Sequence, residues 1–518
     1  MTEILLLPLD DRPCNRLFPV RLGKIAGLKV STPPRELLGA FTTPGQPERL
    51  VDWLLENAPR AQAVIASVEM LCCGGLIASR DPAVPAELAE SRLQVLRRLK
   101  KLQPRLPIYA SNLIMRLSIT ADSPEKIAYW RDVALYSQLV YRVEVLGQSR
   151  WEEALAAIRR RIPDEVLGAY LAARRRNHTV SAAAVRLLAD GVLEQLVLCQ
   201  EDAAPIGLHV PEREALISLA QELNVAERLF LHPGADESGL TLLTRAVCDL
   251  EAWHPRVSAS FGSQEGAQRV ALYEDRPIAE NVLGHILAAG AAPIRDPAKA
   301  DLALFVHTPI GPQREAARRD SETERRSLRQ AHRLAQRVAE RLRQGVPVAV
   351  ADIAYCNGAD PALVDALLQA EVMLSLAGYA GWNTAGNSIG TALAQGILWV
   401  LASRRGSTPS RRLPAYQLNF LFERLVEDLL YQSGVRQEAN AWIENSGLSM
   451  LSLGDAKEEV EAFVSQRLKR LARKIFTAHF KGKRADTRSI ETLRKLTVCL
   501  PWPRTFEVEV EAELTLRP

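Results

Sequence analysis

Three pairs of adjacent acidic residues follow strand-like runs of the sequence, and they are the side chains best suited to chemistry. The pairs are Asp10–Asp11, Glu201–Asp202 and Asp236–Glu237. Neighbouring like charges cost free energy unless they are paired with cations or used in catalysis. Where the surroundings differ, one carboxyl group of a cluster can stay protonated while another stays ionised. Glycoside hydrolysis needs that division of roles.

We therefore predict that Asp202 and Asp236 are the catalytic carboxylates, because they follow consecutive strand-like runs and can flank one bond. Glu201 and Glu237 are the second choices for the same roles. A single carboxylate after a strand also has a simpler interpretation, as the N-cap of the next helix.

Arginines recur at the same positions as the acidic pairs. Arg12, Arg80 and Arg116 each follow a strand-like run. Their guanidinium groups can hold a carboxylate or phosphate through two parallel hydrogen bonds; the alternative is that they neutralise the acidic residues in a structural network. The first interpretation predicts an anionic sugar as the small-molecule partner.

The stretch "YAGWNTAGN" at residues 379–387 combines an aromatic pair with asparagines and glycines. It suits a sugar ring that stacks on the indole while amide groups bind its hydroxyls; the alternative is that Trp382 covers the core. The residues predicted to bind substrate, here and after the other strands, are Asp10, Asp11, Arg12, Glu69, Arg80, Arg116, His209, His232, Asp352, Asn357, Tyr379, Trp382, Asn383 and Asn387.

A divalent metal ion is the alternative source of chemistry. His209, His232 and Asp236 supply nitrogen and oxygen ligands of the right type. The sequence has no HxH, HExxH or HxxxH spacing, so such a site would have to assemble across strands. Dinucleotide, P-loop and α/β-hydrolase signatures are also missing, and we predict no cofactor in the two-carboxylate scheme.

The composition is that of an ordinary globular protein. The chain has 518 residues, 47% hydrophobic and 24% charged, with a net charge of +4 that is spread along helical patterns. We therefore expect no nucleic-acid partner. No apolar run reaches the length of a membrane span and the N-terminus does not resemble a signal peptide. Seven cysteines without a CxxC pair fit the cytoplasm.

Strand and helix patterns alternate up to about residue 405, which predicts a mainly parallel sheet with helical crossovers. The best strand patterns lie at residues 3–9, 63–68, 107–113, 195–199, 228–231, 302–306, 347–351 and 372–376. Because nearly all of them precede polar residues, we predict a (β/α) barrel-like core, which brings every strand end to one face. The alternative is two doubly wound α/β domains with a cleft between them.

The predicted domains follow from this pattern. Residues 1–405 form the α/β catalytic core, in which about 250–300 make up an inserted α/β segment. A polar, basic linker at 403–412 leads into a helical or α+β appendage at 406–518. The alternating run "TFEVEVEAELTL" near the end predicts an antiparallel strand in that appendage.

Several motifs together resemble one bacterial family. They are "LLLPLDDRPCN", "SVEMLCCGGLIASR", "QEDAAPIGLHV", "HPGADESGLTLL", "ADIAYCNG" and "YAGWNTAGNSIGT", and they span essentially the whole chain. This set is similar to the family known as domain of unknown function 4127. Family members carry aspartates where this chain has Glu69 and Glu201. The resemblance implies no established activity; such proteins look like companions of sugar uptake and amino-sugar breakdown.

The sequence as a whole predicts an intracellular hydrolase, with a glycoside hydrolase acting on an acidic or amino-sugar-derived substrate as the first choice. A divalent-metal-dependent hydrolase and a non-catalytic protein that binds a small anion or sugar are the alternatives.

Overall fold

The computed structural model describes residues 2–319, 321–404, 413–485 and 488–517. The first part of the chain, to residue 233, forms a six-stranded parallel sheet in the order β2-β1-β3-β4-β5-β6. Its elements are β1 (Glu3–Leu7), α1 (Pro13–Ile25), β2 (Lys29–Ser31), α2 (Pro47–Asn57), β3 (Ala63–Ser67), α3 (Val68–Cys73), α4 (Ala86–Leu102), β4 (Ile108–Ile114), α5 (Pro124–Val140), α6 (Glu152–Arg161), α7 (Asp164–Ala189), β5 (Gln195–Gln200), α8 (His209–Glu222) and β6 (Leu229–Pro233).

The second part forms a five-stranded parallel sheet in the order β13-β11-β9-β7-β8, and β10 pairs separately with β12. Its elements are α9 (Ser238–Leu250), β7 (Arg256–Phe261), α10 (Gln264–Ala267), α11 (Ile278–Ala288), β8 (Ala292–Pro293), β9 (Leu302–His307), β10 (Arg314–Glu315), α12 (Ser321–Arg343), β11 (Val348–Asp352), β12 (Tyr355–Cys356), α13 (Pro361–Gln369), β13 (Gly378–Ala380) and α14 (Ala385–Arg404).

The C-terminal part is a helical layer with a small antiparallel sheet, β14-β15-β16. A π-helical segment, Leu425–Val435, links its first two helices. Its helices and strands are α15 (Leu413–Arg424), α16 (Arg436–Asn445), α17 (Lys457–Ile475), β14 (Arg484–Ala485), β15 (Arg488–Cys499) and β16 (Glu509–Arg517). The predicted terminal antiparallel strand is therefore confirmed.

The core lies in layers on the two faces of each parallel sheet. Alternate side chains of β1 point to opposite faces, so Ile4 and Leu6 belong to one apolar cluster while Leu5 and Leu7 belong to another. The cluster with Ile4 also contains Leu302 of β9, so it lies between the two sheets. Continuous apolar runs in the strands follow from burial on both faces.

The α/β class and its parallel sheets are confirmed, and the alternative of two open α/β units describes the architecture. The predicted barrel is wrong, because the described strands form two open sheets rather than one closed ring. Residues 250–300 are likewise no inserted segment, since β7 pairs with both β8 and β9 and so belongs to the second sheet.

Two local expectations also change. The run at 372–376 forms a 3₁₀ turn, Met373–Ser375, and the strand follows at Gly378–Ala380. Ser403 and Arg404 end α14, and the rest of the predicted linker lies outside the described residues. None of the described helices is both long enough and apolar enough to cross a bilayer.

Candidate functional site

A cleft of about 280 Å³ opens where all three parts of the chain meet. The first part contributes loops after β1, β3, β4, β5 and β6; the second part contributes loops after β12 and β13. The C-terminal part supplies one further side. Ligands of open parallel sheets bind beyond the carboxyl ends of the strands, and the cleft lies there.

The cleft brings together half of the residues that the sequence singled out. Those that line it are Arg12, Arg80, Arg116, Glu201, Asp202, Asp236, Asn357, Asn383 and Asn387. The others lie outside its described lining: Asp10, Asp11, Glu69, His209, His232, Glu237, Asp352, Tyr379 and Trp382.

The deepest polar side chains form what we term the inner network: Arg12, Asp10, Asp236 and Asn383. Arg12 Nε donates to Asp10 at 2.9 Å, and Nη1 donates to Asp236 at 3.1 Å. Asn383 Nδ2 donates to the same Asp236 oxygen at 3.1 Å. The Arg12 and Asp236 side chains are 4% and 6% exposed. Asp236 is therefore fixed from two sides.

Burial dominates the electrostatics of this network. Burial raises the pKa of Asp236 to about 6, because it outweighs the lowering by Arg12 while Asp10 adds to the rise. Burial alone would lower the pKa of Arg12, but Asp10 and Asp236 raise it well above its ordinary value. The Arg12 guanidinium also lies 4.7 Å from the centre of the Trp502 ring.

Two further ion pairs line the cleft, and we term them the outer pairs. Arg80 pairs with Glu201, and Arg116 pairs with Asp202. The Arg116 and Asp202 side chains are 21% and 30% exposed, several times more than the inner network. Arg80 also donates to the Thr120 hydroxyl at 3.0 Å. Burial lowers the pKa of Arg80 to about 10.

Several lining residues escaped the sequence argument. Tyr273 donates its hydroxyl to Glu315 at 2.6 Å on the second part of the chain, and Arg436 and Arg504 line the C-terminal side. None of these follows one of the best strand patterns. Arg504 comes from the segment that was assigned to an appendage, so only the long-range fold places it in the cleft.

The backbone of the cleft is unusual. Of the eight described non-glycine residues with positive φ, four line the cleft: Asp202, Tyr273, Asn357 and Asn383. Hydrogen bonds hold these turns in place, since Ala203 N donates to Tyr273 O at 2.9 Å and Asn357 N donates to Asn383 O at 2.8 Å. Sparsely populated backbone conformations concentrate at functional sites.

The stretch at 379–387 divides between pocket and core. Asn383 and Asn387 line the cleft, whereas Trp382 belongs to the apolar cluster between the sheets. Its indole donates to the Thr391 hydroxyl at 3.2 Å and meets the Phe18 ring edge-on. Trp382 is 4% exposed, so the expected stacking surface for a sugar is core instead.

Tyr379 and Asp352 are also buried behind the cleft. The Tyr379 hydroxyl donates to Asp352 at 3.3 Å, and Asp360 N donates to the same carboxylate at 2.7 Å. Burial raises the pKa of Asp352 to about 7, although His307 opposes the rise. These groups connect β11 and β13.

Asp11 and Glu69 hold loops in place. Trp502 donates its indole N–H to Asp11 at 2.7 Å, which ties the C-terminal part to the first sheet. Glu69 accepts from the Leu113 backbone at 2.7 Å and from Asn112, so it links α3 to β4. Both carboxylates therefore have structural partners.

The predicted metal ligands are not brought together. His209 is buried at the start of α8, and Asp236 is bound by Arg12. His232 instead faces Glu237 and His285, behind the wall of the cleft. Glu237 and His232 are both fully buried, and neither lines the cleft.

Comparison with known proteins gives a family without an activity. A family model with the description "Protein of unknown function (DUF4127)" matches residues 4–511, which confirms the resemblance noted in the sequence. No curated protein matches the chain.

Proposed function

The chain belongs to the DUF4127 family of proteins of unknown function, and from its cleft we propose that it is an intracellular hydrolase of glycosidic bonds in acidic or amino-sugar-derived substrates. The observation that carries this proposal is that four carboxylates, several guanidinium groups and three asparagine side chains meet in one small cleft. They are Glu201, Asp202, Asp236, Glu315, Arg12, Arg80, Arg116, Arg436, Arg504, Asn357, Asn383 and Asn387.

The outer pairs support an anionic substrate. Arg116 and Asp202 are both partly exposed, and exposed ion pairs contribute little free energy. The Arg80 side chain is only 6% exposed, as buried as Asp236. A substrate carboxylate or phosphate can replace Asp202 as the partner of Arg116 at small cost. The amide groups of Asn357, Asn383 and Asn387 are suited to the hydroxyl groups of a sugar.

The same exchange supplies the two protonation states that hydrolysis needs. Asp236 keeps Arg12 and Asn383 as partners, so it stays ionised and serves as the base or nucleophile. Asp202 loses its cation once Arg116 has turned to the substrate, and we assign it the role of the acid. It then protonates the leaving oxygen as the bond to the anomeric carbon breaks, and Asp236, or a water molecule that it activates, forms the new bond to that carbon.

The rival functions draw less support from the cleft. A metal-dependent hydrolase needs nitrogen or oxygen ligands open to substrate, whereas His232 is buried behind the wall. A purely binding protein for an anion needs the arginines but not the carboxylates of Glu201, Asp202 and Asp236 beside them. The seven cysteines, all described, are free thiols, which fits the proposed cytoplasmic location.

The test is a panel of chromogenic glycosides of uronic acids, phosphosugars and acidic amino sugars, each beside its neutral counterpart. We expect turnover of the acidic members. Asp236→Asn and Asp202→Asn should each lower kcat by about 10²–10⁴-fold, the usual contribution of acid–base catalysis.

Asp301→Asn is the matched control, because Asp301 pairs with Arg256 at 3.0 Å away from the cleft; its activity should equal that of the wild type. Acidic sugars that raise the melting temperature of the wild type without turnover would identify a binding protein instead. Equal stabilisation by acidic and neutral sugars would remove the argument from the arginines.

A further inference from the structure

Behind the cleft, His232 of β6, Glu237 at the start of α9 and His285 of α11 form a cluster that the proposed hydrolysis does not use. All three side chains are 0% exposed. One ligand atom from each lies within 4.8 Å of the others. Buried ionisable groups need partners that balance their charge and protons.

The hydrogen bonds of the two imidazoles fix where their protons are. His285 Nδ1 lies 3.0 Å from the Asn281 carbonyl oxygen, and His232 Nδ1 lies 3.0 Å from the Pro233 carbonyl oxygen. A carbonyl oxygen only accepts, so in each neutral ring the proton is on Nδ1.

This assignment leaves lone pairs facing one another. His285 Nε2, without a proton, lies 3.0 Å from Glu237 Oε1, which is also an acceptor when ionised. His232 Nε2 and Glu237 Oε2 are buried and have no hydrogen-bond partner among the described residues. Two acceptors at this distance repel unless a proton or a cation lies between them.

The spacing matches the coordination shell of a metal ion. In a tetrahedral site with metal–nitrogen distances of about 2.0–2.1 Å, neighbouring ligand atoms lie about 3.3 Å apart. Glu237 Oε1 lies 3.0 Å from His285 Nε2, close to that spacing, and His232 adds a third ligand atom within 4.8 Å of both, for which its unpartnered Nε2 is available. A backbone carbonyl bound to the other nitrogen of a ligating histidine is the usual second-shell arrangement, and His285 has it.

Two glycines leave the space that this carboxylate occupies. A Cβ on Gly234 would come within 2.3 Å of Glu237 Oε1, and a Cβ on Gly390 would come within 2.3 Å of Glu237 Cγ. Gly234 has φ of +96°, a conformation that side chains rarely adopt. The fold therefore makes room for Glu237 beside the two imidazoles.

We propose that His232, Glu237 and His285 bind a first-row divalent transition metal ion of the Zn²⁺ type, as a structural site separate from the cleft. Two imidazoles and one carboxylate select such ions over Mg²⁺ or Ca²⁺, which prefer oxygen ligands. The ion would join β6 of the first sheet to α11 of the second part, and so fix the two parts against each other behind Asp236.

Metal analysis of the full chain, purified without chelator, tests the site. We expect about one equivalent of metal per chain, and chelator-treated protein should melt at a lower temperature and recover on addition of Zn²⁺ but not of Mg²⁺. Co²⁺ in its place should give the visible absorption of a tetrahedral site with nitrogen and oxygen ligands.

Glu237→Gln and His285→Gln should each lower metal affinity by at least about tenfold. His209→Ala is the matched control, because His209 is a buried histidine outside the cluster, and it should keep the metal. The proposal is overturned if the wild type holds less than about a tenth of an equivalent and Zn²⁺, Co²⁺ and Mn²⁺ leave its melting temperature unchanged; Glu237 then holds a proton in place of the ion. Retention of metal by both glutamine variants overturns it as well.

Discussion

The inner network and the outer pairs are built from the same chemistry, arginine against carboxylate, and they differ in how many partners each charge has. Arg12 donates to Asp10 and Asp236 and approaches Glu507 at 3.4 Å. Arg116 has one carboxylate partner, Asp202, which is 30% exposed. The first arrangement is fully buried, and the second is open to water.

This difference separates two roles within one cleft. A charge with several buried partners cannot change partner without leaving others uncompensated, so the inner network presents a fixed Asp236. A partly exposed pair is held weakly and can exchange its partner for a substrate group. The proposed hydrolysis uses one of each.

The sharpest test of this comparison is the removal of one arginine from each region. Arg12→Met leaves Asp10 and Asp236 buried without their cation, and we expect it to lower the free energy of unfolding by about 3–5 kcal/mol. Arg116→Met, the matched control, should lower it by less than about 1 kcal/mol. Urea unfolding at neutral pH measures both values.

Equal losses of unfolding free energy in Arg12→Met and Arg116→Met would show that the inner network and the outer pairs do not differ as described. An Arg12→Met protein that does not fold at all is the extreme of the expected result, provided that Arg116→Met folds under the same conditions. In that case Arg12→Lys, which keeps the charge but loses the parallel hydrogen bonds, gives an intermediate and measurable stability.

The sequence was informative where chemistry follows a strand directly. Arg12, Glu201, Asp202 and Asp236 were predicted from that position alone, and all four line the cleft. Parallel strands end at a common edge, so a residue just beyond a strand end is near the ligand whether the sheet is open or closed. This local rule did not depend on the wrong barrel.

For other residues, the long-range fold of the chain decides whether they line the cleft. Trp382 follows the same rule as Asn383 but turns into the core between the sheets, because side chains of neighbouring residues in a turn point in different directions. Arg504 reaches the cleft through pairings of distant segments. Burial also explains why the two predicted histidines do not line the cleft. His232 and His209 follow strand patterns, yet both side chains lie inside the protein.

The loop that carries Asn383 should respond to pH through Glu274. Glu274 Oε1 accepts a hydrogen bond from Gly386 N at 2.6 Å, and Glu274 Oε2 accepts one from Asn281 Nδ2 at 2.8 Å. Burial raises the pKa of Glu274 from 4.5 to about 8, and the charges of Glu237 and Asp275 add to the rise. The folded chain thus binds this proton more tightly than the unfolded chain does.

Stability should therefore fall as pH rises from about 5 to about 8, by a few kcal/mol at most, and level off above that. Glu274→Gln resembles the protonated acid, because its amide can donate to Asn281 Oδ1 once that side chain is flipped. We expect the stability of the variant not to show this fall between about pH 5 and about pH 8. The variant should therefore be more stable than the wild type at pH 8.5. The midpoints of urea unfolding across the pH range measure this difference. If the midpoints of the variant and the wild type change with pH in parallel, the prediction is wrong.

The smallest predicted effect concerns the backbone of the outer pairs. Asp202 has φ of +39°, whereas the preceding Glu201 is not among the described residues with positive φ. Asp202→Gly and Asp202→Ala both remove the carboxylate, so the difference between them isolates the backbone. The glycine variant at position 202 should be more stable than the alanine variant by about 1 kcal/mol, because alanine is strained in this conformation.

At position 201 the order should reverse, since glycine there only adds entropy to the unfolded chain. Urea unfolding of the four variants measures both differences. If alanine equals glycine at position 202, the outer pair stores no strain, and its readiness to change partner then rests on solvent exposure alone.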